Sequence, residues 1–169
     1  MKTVILTCGP RGAGKTTYVN NFALQYPGTE IVSRDDILIS LYGSTTTVRT
    51  FMEDQKTGDT AMDALREAIK RSDMTILDFW NRTGLGRKNT VKALRETGFD
   101  KVVCWYFTTP LEICTEWIQR KSDSEYISAW FYEFDYRSFH ERAASVFTDG
   151  FDEVITINSS EVFQIKRTA

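Results

Sequence analysis

Thr7-Cys8-Gly9-Pro10-Arg11-Gly12-Ala13-Gly14-Lys15-Thr16-Thr17 follows directly on the apolar run Val4-Ile5-Leu6 and leads into a helix-like segment over 17–25. From Gly9 to Thr16 it fits G-x-x-x-x-G-K-[ST], with a strand before it and a helix after it, the setting that this motif requires. Gly9, Gly12 and Gly14 let the backbone wrap a phosphate chain with N–H groups turned inward, and the helix adds the positive end of its dipole. Lys15 is placed to reach β- and γ-phosphates, and the Thr16 hydroxyl to hold Mg²⁺. A plain glycine-rich turn would have no use for that cation. The whole run Gly9, Pro10, Arg11, Gly12, Ala13, Gly14, Lys15, Thr16 and Thr17 is therefore read as a triphosphate-binding loop.

Outward from this loop, the 169 residues make one domain's worth of chain, able to bury about two-thirds of its unfolded surface. Hydrophobic residues at 41% and charged residues at 26% suit a soluble globular protein, and no apolar run approaches a membrane span. Met1-Lys2-Thr3 leads straight into a strand, which leaves no room for a signal peptide. Three cysteines, Cys8, Cys104 and Cys114, lack metal-ligand spacing and are read as core residues of a protein kept in a reducing cytoplasm. The net charge of −2 argues against a protein that coats nucleic acid, since such binding rests on phosphate neutralisation. An enzyme gripping one strand end through a local patch stays open.

Strands are expected over 3–8, 30–33, 74–78, 101–107 and 153–157, and helices over 17–25, 37–41, 48–71 with a break at Gly58, 87–96, 110–121 and 126–147. The alternation implies a three-layer α/β/α arrangement around a mostly parallel sheet of about five strands. Ligands of such sheets gather outside the carboxyl ends of the strands. There stand Ser33-Arg34-Asp35-Asp36, Asp78-Phe79-Trp80-Asn81 and Thr108-Thr109-Pro110.

A carboxylate at Asp35 or Asp36 can orient an acceptor hydroxyl and take its proton, while one of the pair caps the following helix. Asp78 ends an apolar strand, the position from which a carboxylate holds the water shell of Mg²⁺. Arg120 and Lys121 close a helix, either complementing its dipole or clamping a transferring phosphate from a lid. Arg82, Arg87, Lys88, Lys92 and Arg95, with Phe79 and Trp80, make either a groove where bases stack or the solvated face of a helix. Trp130, Phe131, Tyr132, Phe134 and Tyr136 at helical spacing read as core, and His140 has no partner pattern.

With these residues in place, the chain resembles the phage polynucleotide 5′-kinase family and, more broadly, the small P-loop kinases of the adenylate-kinase-like class. The likeness runs through Ile5-Leu6-Thr7, the loop from Gly9 to Thr17, Pro27-Gly28, Arg34-Asp35-Asp36, Asp78 and Arg120-Lys121. It implies a single P-loop kinase domain over 1–169 with a lid at about 118–128. It implies ATP and Mg²⁺ as cofactors, with Asp35 as general base, Lys15 and Arg120 on the phosphates, and Thr16 and Asp78 at the metal. Arg34, Asp36, Asp78, Trp80 and Arg82 then face a substrate, the 5′-hydroxyl end of DNA or RNA, as in nucleic acid repair. Two departures bear on that substrate. Leu38 stands where the family commonly has an Arg for the acceptor's 3′-phosphate, and a second lid Arg is missing near 122–125. A kinase of another hydroxyl, on a nucleoside, a small metabolite or a modified base in DNA, is the alternative. A nucleotide-dependent binding module is a third reading, weakened by the absence of N-K-x-D.

Overall fold

The computed structural model describes residues 1–45, 48–79, 81–121 and 129–162. Five parallel strands, β1 (Thr3–Cys8), β2 (Glu30–Ser33), β3 (Met74–Asp78), β4 (Lys101–Phe107) and β5 (Glu153–Ile157), lie in the order β2-β3-β1-β4-β5. The helices are α1 (Lys15–Gln25), α2 (Arg34–Tyr42), α3 (Phe51–Arg71), α4 (Gly84–Thr97), α5 (Leu111–Lys121) and α6 (Ala129–Ala143). Among the described residues no helix is long and apolar enough to cross a membrane.

β1 lies at the centre and all six of its residues are buried. Successive side chains of a strand point to opposite faces, so a covered central strand must be apolar on both. Val4 and Leu6 accordingly pack with Leu65, Val91 and Leu94, whereas Ile5 joins Val19, Trp105 and Cys114 on the opposite face. Cys8 and Cys104 pack with Phe139 of α6 in a third cluster, and all three cysteines are free and buried.

Several expected boundaries move, each for a local reason. α2 begins at Arg34 instead of 37 because the Ser33 hydroxyl caps it, accepting from Asp36 N at 3.3 Å. Neither Asp35 nor Asp36 is the cap. α3 runs unbroken through Gly58, since a capping box at Thr50 and Glu53 starts it and four buried side chains anchor it across that glycine. α4 begins at Gly84, three residues early, under the Thr83 cap. α6 ends at Ala143, followed by a short 3₁₀ turn over Val146–Thr148. Of the aromatics expected as core, Tyr132 is buried, but Trp130 and Phe134 stack on each other at 5.7 Å on the exposed side of α6. His140 accepts or donates at Nδ1 against Tyr106 Oη, 2.5 Å away. Residues 122–128 of the expected lid, and Trp80, lie outside the described residues.

Candidate active site

The loop after β1 turns through Gly12 at φ 70° and Gly14 at φ 82°, a region that side chains other than glycine rarely adopt. Space forbids a side chain there as well. A Cβ at Gly12 would stand 2.5 Å from Ile118 Cγ1, and one at Gly14 would stand 2.8 Å from Trp117 and 3.0 Å from Ser159. The loop is thus pressed from outside by α5 and by the segment after β5. Thr109, buried, holds it from behind: its hydroxyl donates to Ala13 O at 3.0 Å and accepts from Ser159 N at 3.2 Å.

Opposite this support the loop opens on a cavity of about 190 Å³ lined by Arg11 to Thr16, Ser33, Arg34, Asp35, Asp78 and Phe79. The strand register explains why these meet: Ser33 of β2 pairs with Asp78 of β3, so Arg34 and Asp35 emerge beside the Asp78 carboxylate. Asp78 is buried and held at both oxygens, by Thr7 Oγ1 at 3.2 Å and Thr16 Oγ1 at 3.0 Å. Burial raises its pKa, opposed by those two hydrogen bonds and by the Lys15 charge. Lys15 Nζ donates to the carbonyls of Gly9 and Pro10, each at 2.8 Å, and burial lowers its pKa to about 8 despite the attraction of Asp78. Arg34 is half-buried, with Nη1 at 3.7 Å from Asp35 Oδ1, and Asp35 is largely exposed at the cavity mouth.

Thr16 and Asp78 supply a hydroxyl and a carboxylate oxygen side by side at the floor. This hard-oxygen pair fits Mg²⁺, which takes one or two protein ligands and keeps its remaining positions for water and phosphate. Among the described residues no group of three or more His, Cys, Asp or Glu could hold a metal by itself.

The structure therefore gathers Arg11, Gly12, Ala13, Gly14, Lys15, Thr16, Arg34, Asp35 and Asp78 around one cavity. Other expected residues lie elsewhere. Pro10 lines a small crevice against α5 and α6, Thr17 is exposed, and Asp36 borders a separate cavity of about 270 Å³ between α2, α3 and the β2 edge. Arg120 is turned back one helical turn onto Glu116, exposed to solvent and outside the cavity lining. Arg82 offers its carbonyl to Arg87 and does not line the cavity. The basic groove loses its centre, because Arg87 is fully buried and all five of its N–H donors are used within the fold. They reach Asp149 Oδ2 at 2.6 Å, the carbonyls of Asn81, Arg82 and Arg142, and Ser145 Oγ. Leu38 is likewise fully buried, so position 38 faces the core and not a substrate.

Sequence reasoning missed Thr7, whose place at the end of an otherwise apolar strand was its only signal. It missed Asn81 too, which adopts φ 49° and donates from Nδ2 to Thr7 O at 2.8 Å, fixing the chain after Asp78 against β1.

A family model described as an AAA domain matches residues 4–135, from β1 into α6. The chain belongs to this AAA-domain family. Its match spans the phosphate loop, Asp35 and Asp78 together. No protein of curated function matches significantly by sequence. Among solved structures, a chain of the Pnkp1/Rnl/Hen1 RNA repair complex superposes with a TM-score of 0.72 at 16% identity, covering 85% of this chain and 46% of that one. A fungal RNA kinase gives 0.58 at 17% identity over 93% of this chain and 38% of that one. Shikimate kinase from Acinetobacter baumannii, in complex with shikimate, gives 0.59 at 20% identity over 99% and 94%. The chain thus spans less than half the length of the RNA repair and RNA kinase chains. At these identities the likeness is one of fold, the P-loop kinase fold.

Proposed function

We propose that this chain is an ATP-dependent phosphotransferase that moves the γ-phosphate onto the 5′-hydroxyl end of DNA or RNA. One observation carries the reading: Asp35, a carboxylate that caps nothing, opens onto the same cavity as the phosphate loop and the Thr16–Asp78 pair. The loop amides and Lys15 hold the triphosphate, and Thr16, with Asp78 through water, would hold Mg²⁺, which spreads the charge of the β- and γ-oxygens when bound. Asp35 orients the acceptor hydroxyl and takes its proton as the new oxygen–phosphorus bond forms and the bond to the β-bridging oxygen breaks, releasing ADP. Arg120 has no part in this scheme.

Asp35→Ala and Asp35→Asn test it directly. Both should abolish label transfer from γ-labelled ATP to 5′-hydroxyl oligonucleotides while ATP affinity stays within about threefold, since the positioning and electrostatics of the donor rest on the loop. Turnover preserved with binding lost would remove Asp35 from the role. The likeness in fold and length to shikimate kinase supports a second reading, transfer to a small hydroxyl compound. Acceptor competition separates the two: oligonucleotides that neither take label nor inhibit ATP turnover exclude the polynucleotide substrate.

A further inference from the structure

Thr7 places a hydroxyl where the central strand has no need of one. Every residue of β1 is buried, Thr7 completely, and valine has the same shape without a polar group to desolvate. Among the described residues, the Thr7 hydroxyl bonds to residues 78 and 79 alone. Its single hydrogen faces Phe79 O at 2.8 Å and Asp78 Oδ1 at 3.2 Å, and its oxygen accepts from Phe79 N at 3.2 Å. Asp78 and Phe79 both line the phosphate cavity. Thr75 of β3 makes the contrast: it is just as buried, but its Oγ1 has no hydrogen-bond partner among the described residues.

The strand register explains why the two side chains meet. Leu6 pairs with Leu77, so one residue further on Thr7 stands beside Asp78, on the sheet face where Ile5 and Ile76 pack with Val19 of α1. The same helix brings Thr16 Oγ1 to Asp78 Oδ2 at 3.0 Å. Each carboxylate oxygen is therefore held by one hydroxyl. The torsion that turns a carboxylate plane is broad and roughly two-fold, so the aspartate by itself does not fix that plane. Thr16 belongs to the candidate metal pair, whereas Thr7 is absent from the cavity lining and holds Asp78 from behind. Partners in that position orient the groups that hold a metal without taking a place at it.

We propose that Thr7 is a positioning residue, which fixes the Asp78 carboxylate for the divalent cation of the phosphate donor. It touches neither nucleotide nor metal and acts through Asp78. The inference deepens the kinase reading and rests on it for the presence of that cation. A threonine that served the fold alone would change stability and leave the ratio of ATP affinities with and without metal unmoved.

Calorimetric titration with ATP, in Mg²⁺ and in EDTA and without acceptor, reads that ratio. Thr7→Val keeps the shape and removes the hydroxyl. It should weaken ATP binding in Mg²⁺ by roughly tenfold, the lower end for losing such a partner, and raise the Mg²⁺ concentration for half-maximal transfer to match. In EDTA, affinity should stay within about threefold, because the loop amides and Lys15 still hold the phosphates. Thr7→Ser restores the donor and should bring the Mg²⁺ response back to within about twofold of the unaltered chain. Thr7→Cys, a weak donor, should fall between the two and covers a valine variant that folds poorly. Thr75→Val is the control and should change none of these readings. A Thr7→Val chain with the unaltered Mg²⁺ response, or with equal losses in Mg²⁺ and EDTA, overturns the role while leaving Asp35-dependent transfer standing. So does a Thr7→Ser chain as impaired as Thr7→Val. Oligonucleotides that take no label from the unaltered chain sink the polynucleotide reading alone, since these titrations need no acceptor. An unaltered chain that binds ATP no better in Mg²⁺ than in EDTA overturns both the metal pair and the part of Thr7 in it.

Discussion

The two walls of the cavity are built on opposite terms. On the β1–β3 wall, Asp78 is buried and held by Thr7 and Thr16, and behind it Asn81 and the buried Arg87 of α4 tie the chain after β3 to the rest of the fold. On the β2–α2 wall, Asp35 is 62% exposed and Arg34 touches it only at 3.7 Å. A triphosphate has one shape and rewards a rigid cradle, because preorganised donors need no rearrangement when charge develops. An acceptor has to enter and leave, and a wall made of exposed side chains lets it. Strength is therefore placed where the ligand is constant and access where it varies.

The largest effect that would break this contrast is one of stability. Arg87→Ala leaves the Asp149 carboxylate buried without its partner, and removing one member of such a pair costs about 3–5 kcal/mol. Arg34→Ala, at the half-exposed wall, should cost under about 1 kcal/mol. Urea unfolding compares them, and equal losses would mean that the walls are equally rigid. Arg87→Met with Asp149→Leu should restore much of the loss, as an apolar pair of similar volume replaces the ionic one.

Next comes Lys15→Met, expected to lower transfer by about 10²–10³-fold, the scale for deleting one preorganised charge-stabilising donor. Its pH signature sharpens the comparison. The folded pKa near 8 lies below the ordinary lysine value of 10.5, so between about 8 and 10.5 the unfolded chain holds the proton and the folded one does not. Stability contributed by this group accordingly rises with pH across that window, and below 8 the buried ammonium is a burden. A bound triphosphate favours the protonated form, so ATP binding above pH 8 should take up protons and weaken as pH climbs. Calorimetry in buffers of different ionisation enthalpy reads that uptake, and Lys15→Met should abolish it.

Smaller again is Gly12→Ala. Its Cβ would meet both Ile118 and the Cys114 carbonyl at a positive φ, so α5 must give way, at a cost of about 1–3 kcal/mol in stability. Nucleotide affinity should fall with it, measured by titration calorimetry. A variant with unchanged stability and affinity would show that α5 does not brace the loop.

How much of this was legible beforehand follows from the range of the signals. The phosphate loop, its strand and its helix are local, and periodicity with glycine spacing placed them within a residue or two. Asp35 and Asp78 were readable because strand ends in a parallel sheet converge, a rule that needs only the order of elements. The fate of Arg87 was not readable: its charge suits a solvated helix face, and only the long-range arrival of Asp149 and the Arg142 carbonyl makes burial tolerable. The same holds for Trp130 and Phe134, whose spacing fits a helix but whose direction depends on which face of α6 meets the sheet. Capping by Ser33 was local and could have been found, had the preceding hydroxyl been weighed against the two carboxylates.

The smallest expected effect bears on Arg120. An exposed i, i+4 pair with Glu116 contributes about 0.3–0.5 kcal/mol, so Arg120→Ala should scarcely move the unfolding midpoint. Its charge points along the outside of α5 and not into the cavity, and transfer should stay within about threefold. A fall of 10² or more, with stability unchanged, would mean that the guanidinium leaves Glu116 and swings onto the phosphates during turnover. The rigid wall would then owe part of its charge to a residue that joins only with substrate in place. Glu116→Ala distinguishes these cases: if Arg120 works from its present position the variant changes nothing, whereas if it must first break the pair, removing Glu116 should speed transfer.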